Sequence, residues 1–388
     1  MITREQLRQL AEFQSPQGNA VSFYFHPGIP RNKAHREEHI LIKDLVHDAL
    51  ASAPAHAVND GLRSDLDRIA ALGEKLPNNH TRGKAILACA QSGIWVEVDF
   101  AAGHLTNRLI VNSRFHLTPL TAALSESAQC CVAVVDREKA LISKFDLAGG
   151  FTLLEEIFSP TPRRVRFAGF AGYEAGHIER HIENEAMRHF KQVADRVLEL
   201  LETNGFEGLI IGCRDESWPE FEPHLHPYLK QKLLGRFSAD QATPIPELVR
   251  ETQRLLEERK TSERQALVRE VLGEAHRNAR GVLGLRQVLL ALEKGEVQTL
   301  LLGPNFSARA VECRHCGHMD TRTMKNCTLC GKETSEVEDI ADALVADAIR
   351  RGAEIVQVDG DPSFDAAGNV GALLRFRSDQ NTAEKLAS

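Results

Sequence analysis

Long apolar runs are missing from this sequence of 388 residues. No stretch approaches the ~20 apolar residues that a membrane-spanning helix needs. The opening residues, Met1–Phe13 (MITREQLRQLAEF), also lack the apolar segment of a secretion signal. We therefore expect the protein to be cytoplasmic.

A surplus of basic residues is missing as well. The chain has 47 lysines and arginines against 54 aspartates and glutamates, a formal net charge of -7 and a pI near 6.2. A protein that coats nucleic acid over its whole surface needs the opposite balance. Any contact with RNA must therefore be confined to a local segment.

Cysteines placed for a disulfide framework are absent too. Of the eight cysteines, Cys89, Cys130, Cys131 and Cys213 lie in or beside apolar, strand-like runs, as reduced core cysteines commonly do. The other four have the spacing of metal ligands. This pattern indicates a reducing compartment.

The composition that remains is that of a globular protein, with 43% hydrophobic and 26% charged residues and enough length for two or three cores. Helical patterns alternate with short apolar strands, which predicts an α/β fold. We expect three domains, formed by residues 1–127, 128–260 and 261–388. The highly charged stretch Glu257–Arg264 lacks apolar anchors and predicts a helix end or a linker at the second border.

The middle segment opens with a predicted hairpin, Cys130–Phe145, and continues into a long helix from His177 to about Asn204. The apolar run Gly208–Cys213 (GLIIGC) predicts a buried strand. Further helices are predicted around Pro223–Gly235 and Pro246–Lys260, followed by a separate helix at Gln265–Arg277.

The strongest chemical signal is a pair of Cys-x-x-Cys-Gly motifs, Cys313–Gly317 and Cys327–Gly331. Ten residues, from Gly317 to Asn326, lie between Cys316 and Cys327. Zinc prefers four tetrahedral ligands, and each motif offers two thiolates from one tight turn. We therefore predict a structural zinc ribbon at residues 311–332, with Cys313, Cys316, Cys327 and Cys330 as ligands. The competing interpretation is four free cysteines in a surface loop.

Two histidines lie beside these motifs, His315 and His318. They are possible ligands, but four thiolates already complete the coordination shell. A closed shell leaves no position for a reactive water, so we expect the metal to stabilise the fold and not to catalyse a reaction.

The sequence from Gly284 to Leu302, the four-cysteine insert and the later runs Gly352–Val356 and Gly368–Phe376 resemble the carboxy-terminal domain of the archaeal and eukaryotic class I release factor and Pelota family. The middle segment is similar to that family's middle domain, and Phe23–His26 and Arg114–Leu120 look like bacterial members. The resemblance implies a release-factor-like middle domain. It also implies an α/β/α carboxy-terminal domain, similar to kink-turn-binding ribosomal proteins, that carries the zinc ribbon.

Two departures from the family pattern bear on function. Release factors present Gly-Gly-Gln at the tip of the middle-domain loop, where it assists water attack on the peptidyl-tRNA ester. The matching stretch here, Ala168–Gly176 (AGFAGYEAG), has no glutamine. Nor does Arg31–His35 (RNKAH) preserve the Asn-Ile-Lys-Ser element used for stop-codon reading. Both losses argue against codon-dependent termination.

The altered loop and the helix after it still suit RNA, because guanidinium groups pair with phosphates, glycines allow close backbone approach and aromatic rings stack on bases. An ordinary solvated basic loop is the alternative. His189 and Arg188 recur near the same predicted helical face. The predicted RNA-binding residues are Arg163, Arg164, Arg166, Gly169, Gly172, Tyr173, Glu174, His177, Arg180 and His181.

The resemblance therefore implies a monomeric, ribosome-binding translation factor that occupies the A site without reading a codon, in ribosome hibernation or rescue. A translational GTPase such as elongation factor Tu and a tRNA in the adjacent site are the further partners that it implies. One alternative is a peptidyl-tRNA hydrolase with Tyr173 or Glu174 near the ester, since a carboxylate can act as a general base. The other is an RNA-binding or stress protein that works away from ribosomes.

Overall fold

The structure is a computed structural model that describes residues 2–26, 36–72, 82–101, 106–125, 129–146, 150–160, 172–304 and 306–377. The fold is mixed α/β, as predicted, and the chain forms two compact units. The first compact unit combines Met1–Glu126 with Glu263–Ser388, and the second comprises Ser127–Ser262. The first unit thus contains the predicted first and third domains, whose separation from each other stays a prediction.

The amino-terminal segment of the first unit contains four helices and four strands. They are α1 (Arg4–Glu12), β1 (Ala20–Phe25), α2 (Arg36–Ser52), α3 (Asp60–Leu72), β2 (Arg82–Cys89), β3 (Ile94–Ala101), β4 (Arg108–Asn112) and α4 (Thr118–Ser125). The strands form an antiparallel sheet in the order β3-β2-β1-β4.

All six residues of the central strand β1 are buried, so this sheet is covered on both faces. Val21, Phe23 and Phe25 point to one face and pack with side chains of α2 and α3. Ala20 and Tyr24 point to the other face and belong to a hydrophobic cluster that includes α9 and α10 of the carboxy-terminal segment, described below. The second face therefore depends on residues more than 250 positions away in the chain.

The second unit is a five-stranded sheet with long helices on its two faces. Its elements are β5 (Cys130–Val135), β6 (Lys139–Asp146), β7 (Gly150–Phe158), α5 (Gly172–Asn204), β8 (Gly208–Cys213), α6 (Trp218–Phe221), α7 (Pro227–Lys232), β9 (Leu233–Phe237) and the beginning of α8 (Ile245–His276). The strand order is β7-β6-β5-β8-β9, and β5, β8 and β9 are parallel.

Alternate residues of β5 explain this arrangement. Cys131, Ala133 and Val135 pack against the α5 side, and Cys130 and Val132 pack against the α8 side. The predicted hairpin and the buried strand β8 are confirmed. The predicted core location of the four cysteines outside the metal motifs is also confirmed.

The carboxy-terminal segment completes the first unit. Its elements are β10 (Gly281–Leu283), α9 (Leu285–Glu293), β11 (Val297–Leu302), β12 (Ala310–Cys313), β13 (Met319–Asp320), β14 (Thr334–Val337), α10 (Ala341–Arg350), β15 (Glu354–Gln357), α11 (Pro362–Ala366) and β16 (Val370–Leu374). One sheet has the order β10-β16-β11-β15, and a smaller one has the order β13-β12-β14.

Helices cover both faces of the larger sheet, which confirms the predicted α/β/α layering of this segment. Leu300 and Leu302 of β11 face the cluster that contains α9 and α10. Leu301, between them, faces Val268 and Phe364 from the end of α8 and from α11. Strand β11 is parallel to β15 and antiparallel to β16.

Two sequence predictions were wrong in the region from residue 223 to 277. The charged stretch Glu257–Arg264 does not end a helix, because α8 runs unbroken from Ile245 to His276. The stretch contains no proline or glycine, and pairs such as Arg254–Glu258, 2.7 Å apart at i,i+4, stabilise the helix surface. The predicted helix Pro223–Gly235 is interrupted, since Leu233–Phe237 forms the edge strand β9.

Polar contacts join the two segments of the first unit beside their shared core. Arg114 donates from both terminal nitrogens to the carboxylate of Glu312, with Nη1 2.7 Å from Oε2. The side chains are only 11% and 7% exposed. His116 Nδ1 lies 2.7 Å from Oδ1 of Asp342, and Asn112 donates to the other oxygen of the same carboxylate. The stretch Asn112–His116 therefore holds two acidic groups of the carboxy-terminal segment, the buried Glu312 and the half-buried Asp342.

We expect Glu312→Gln to lower the free energy of unfolding of the first unit by about 3 kcal/mol, because it leaves the Arg114 charge buried without its counter-ion. Urea unfolding in a Trp218→Phe background, where Trp95 reports on the first unit, measures the change. The control Glu336→Gln removes an exposed carboxylate from the neighbouring strand β14 and should have little effect. Equal stability of the two variants would contradict the assigned role of the ion pair.

Candidate functional site

The four motif cysteines lie on two tight turns at one end of the small sheet β13-β12-β14. Cys313 is the last residue of β12, and the N–H of Gly317 donates to the Cys313 carbonyl at 2.8 Å. In the second turn the N–H of Gly331 donates to the Cys327 carbonyl at 2.9 Å. Both glycines have positive φ, 73° and 71°, which explains their place after each second cysteine.

These turns bring the four sulfur atoms together, all within 4.8 Å of one another. Cys313 and Cys330 are 3.5 Å apart through their Sγ atoms, and so are Cys316 and Cys327. The predicted ligand set is thus assembled in one place and can hold a metal ion. In the part of the chain that the structure describes, no other group of histidine, cysteine and carboxylate side chains converges in this way.

The pKa values of the clustered thiols also favour binding of a cation. The backbone N–H of Cys316 lowers the pKa of the Cys313 thiol to about 6. The N–H of His318 lowers the pKa of Cys316, but desolvation and the neighbouring sulfurs outweigh it and raise that pKa to about 12. Thiolates this close repel one another, and a bound positive ion would offset that repulsion.

The neighbouring histidines have other partners. His318 is mostly buried, with Nδ1 3.6 Å from Oε2 of Glu293 on α9 and Nε2 3.2 Å from the Thr328 hydroxyl. His315 is exposed, and its Nδ1 lies 3.3 Å from Nζ of Lys332. The four thiolates therefore stay the predicted ligand set.

The predicted RNA-binding residues are only partly within the described region. Arg163, Arg164, Arg166 and Gly169 lie outside it, as does the Arg31–His35 stretch. For five others the structure describes only the backbone, which lies in helix α5: Gly172, Tyr173, Glu174, His177 and Arg180. His181 is exposed, with Nδ1 4.0 Å from Oε1 of Glu185 one turn later. The RNA-binding site therefore stays a prediction.

His189 does not belong to an RNA-facing surface, contrary to the prediction. It is 1% exposed, on the face of α5 that packs Ala186, Phe190 and Val193 against the sheet. Its Nδ1 lies 2.9 Å from the Ser159 hydroxyl. Ser159 in turn donates its N–H to Glu138. His189 therefore fixes the chain at Ser159, just after β7.

Comparison with known proteins shows what part of the chain is similar to. Residues 116–280 match the model of the bacterial archaeo-eukaryotic release factor family 10. The chain is thus similar to the archaeo-eukaryotic release factors over this stretch. The predicted resemblance is thereby confirmed, and the match includes the whole second unit.

Individual relatives agree with this assignment. The peptide chain release factor subunit 1 of Archaeoglobus fulgidus is 27% identical over 290 residues, which are 69% of this chain and 70% of that protein. The protein of the same name from Methanococcoides burtonii is 25% identical over 303 residues, 71% and 72% of the two chains.

Among solved structures, the crystal structure of Pelota from Archaeoglobus fulgidus is similar over 97% of this chain and 93% of that one, at 14% identity and a TM-score of 0.38. Among the helices that the structure describes, none is long and apolar enough to cross a membrane.

Burial of His189 predicts a pH dependence of stability. Desolvation lowers the pKa of His189 below its ordinary value of 6.5 in the folded chain, so the unfolded chain binds the proton first as pH falls. The free energy of unfolding of the second unit should therefore decrease as pH falls below about 6.5. Urea unfolding between pH 7.5 and 5, followed by Trp218 fluorescence in a Trp95→Phe background, measures this decrease.

The variant His189→Asn removes the titrating group and should flatten this dependence, whereas His181→Asn removes an exposed histidine and should leave it unchanged. The same pH slope in the wild-type chain and in His189→Asn would show that another group is responsible.

Proposed function

We propose that this chain occupies the ribosomal A site without reading a codon and acts in ribosome hibernation or rescue. One observation carries the proposal. The chain aligns with peptide chain release factors over about 70% of its length, yet its Ala168–Gly176 stretch contains no glutamine. A release-factor relative without that side chain retains the means to bind the ribosome and lacks the group associated with ester hydrolysis.

The contact with ribosomal RNA is assigned to the basic segment before α5. Arg163, Arg164 and Arg166 supply three guanidinium groups within four residues, in a chain whose net charge is -7. Guanidinium groups pair with phosphates in a fork, and Tyr173 adds an aromatic ring that can stack on a base. Because the rest of the chain is acidic overall, this local concentration of positive charge directs RNA to the loop.

The proposed location and partners follow from the same similarity to release factors. A protein of this kind works in the cytoplasm as a monomer, beside a tRNA in the adjacent site. It meets a translational GTPase such as elongation factor Tu, and the carboxy-terminal segment is the part assigned to that contact by its resemblance to the family's GTPase-docking domain. A hydrolase that uses Tyr173 or Glu174, and a factor that works away from ribosomes, are the alternatives that the experiments below separate.

The metal proposed for the four cysteines is zinc, in a structural role. Zinc bound to four thiolates has Zn–S distances of ~2.3 Å, which places neighbouring sulfurs roughly 3.8 Å apart. The separations of 3.5 Å for two pairs, and of no more than 4.8 Å for any pair, suit this geometry. Four protein ligands leave no open position, so the ion would fix the two turns and would not activate water.

We expect the purified chain to contain about one zinc per molecule, and Cys316→Ser to lose it, because three thiolates hold the ion far less tightly than four. Elemental analysis after gel filtration gives the ratio. Cys89→Ser is the matched control, since that buried cysteine contacts Asn19 and Ser92 and lies in another part of the fold. A stably folded, metal-free wild-type chain would rule out the zinc site.

The arginine segment should determine ribosome binding. For each phosphate contact the slope of log affinity against log salt changes by about 0.7–0.9, so replacing Arg163, Arg164 and Arg166 with alanine should reduce the slope by about 2–3. Co-sedimentation with ribosomes over a salt series measures it. Alanine at Lys43, Arg63 and Arg269, three exposed cations elsewhere, is the charge-matched control. Failure of the wild-type chain to bind ribosomes at low salt would favour the non-ribosomal alternative.

Ester release separates a binding factor from a hydrolase. Stalled ribosomes that carry labelled peptidyl-tRNA should keep the ester intact when a stoichiometric excess of the chain is bound. Release that is abolished by Glu174→Ala but not by Glu183→Ala, a matched exposed glutamate on α5, would instead establish the hydrolase alternative.

A further inference from the structure

The four-cysteine turns are connected directly to the contact between the two segments of the first unit. Glu312 precedes the ligand Cys313 on β12, and its carboxylate is the buried partner of Arg114. Arg114 lies just after β4 in the amino-terminal segment. The acidic member of the ion pair that joins the segments is therefore the direct chain neighbour of a proposed metal ligand.

The position of Glu312 depends on a very small sheet. Strand β12 has four residues, β14 has four and β13 has two. Glu312 pairs with Met319 and Ser335, and the Ser335 hydroxyl donates to the Glu312 carbonyl at 3.2 Å. Isolated sheets of this size are at best marginally stable in water, so closure of the two turns by a metal ion must supply much of their order.

Apolar packing also joins the small sheet to the amino-terminal segment. Ala310 at the start of β12 and Met319 of β13 belong to the hydrophobic cluster that contains Leu7 of α1 and Phe115 of the amino-terminal segment. Phe115 follows Arg114, so one short stretch of chain meets the small sheet by an ion pair and by apolar packing. Disorder of β12 would weaken both contacts together.

We infer that metal binding at the four cysteines controls how tightly residues 2–125 dock on the carboxy-terminal segment, with the Arg114–Glu312 pair as the link. The inference rests on the metal site of the proposed function. It extends that site's role, because the ion would then also stabilise the docked amino-terminal segment, which contributes no ligand. Binding linkage is reciprocal, so loss of the docking contact must also weaken metal binding by the same factor.

The stretch Asn112–His116 has a second attachment that does not pass through the ribbon. His116 and Asn112 contact Asp342 on α10. Metal removal should consequently loosen the amino-terminal segment without releasing it entirely. The predicted effect is a local increase in opening, which is the quantity that amide hydrogen exchange measures.

Hydrogen exchange of the full chain, metal-loaded and after chelation, tests the inference. Amides of Ser113–Leu117 and of α1 should exchange about tenfold faster without metal, whereas those of β5 and β8 in the second unit should not change. In the metal-loaded variant Glu312→Gln, which keeps all four cysteines, exchange at Ser113–Leu117 should be faster than in wild type. Its metal affinity, from competition with a chromogenic chelator, should fall about tenfold.

Glu336→Gln serves as the control for both readouts, because Glu336 is an exposed carboxylate on β14 that pairs with Val311 and not with Glu312. Metal binding with unchanged exchange at Ser113–Leu117, or unchanged metal affinity in Glu312→Gln, would overturn the docking inference alone. A chain that binds no zinc would overturn the metal site itself.

Discussion

Burial of the second face of the amino-terminal sheet is the constraint on which the first unit depends. Every residue of β1 is buried: α2 and α3 cover one side of the sheet, and α1 and α4 contribute to the cluster on the other side. Tyr24 and its neighbours on the other side need α9, α10 and the small cysteine-bearing sheet to exclude water. Since apolar burial is the main favourable term in folding, two segments at opposite ends of the sequence form one core.

This arrangement gives the four cysteines a role beyond their own turns. The four thiolates lie next to Glu312 and to the shared core. The second unit is built differently, as a sheet between α5 and α8 with its own two clusters. It carries the altered loop sequence, so the residues assigned to RNA and those assigned to metal belong to separate compact units.

The sequence predicted what is encoded locally. Cys-x-x-Cys-Gly spacing fixes a turn within five residues, and apolar runs such as Gly208–Cys213 form strands wherever they are buried. The continuity of α8 was missed because charged residues without apolar anchors were interpreted as a break, although their i,i+3 and i,i+4 pairs support a helix. His189 was misplaced because it shares a spacing with His181, while burial follows the apolar positions Ala186, Phe190 and Val193. The shared core required contacts that no local pattern reveals.

The most direct test of the central claim is a cryo-electron microscopy map of ribosomes from the source organism mixed with the purified chain. The account predicts density in the A site, with the Gly169–Gly176 stretch at the peptidyl-transferase centre and intact peptidyl-tRNA beside it. Ribosomes without bound density at stoichiometric excess, or a deacylated tRNA next to the bound chain, would contradict it.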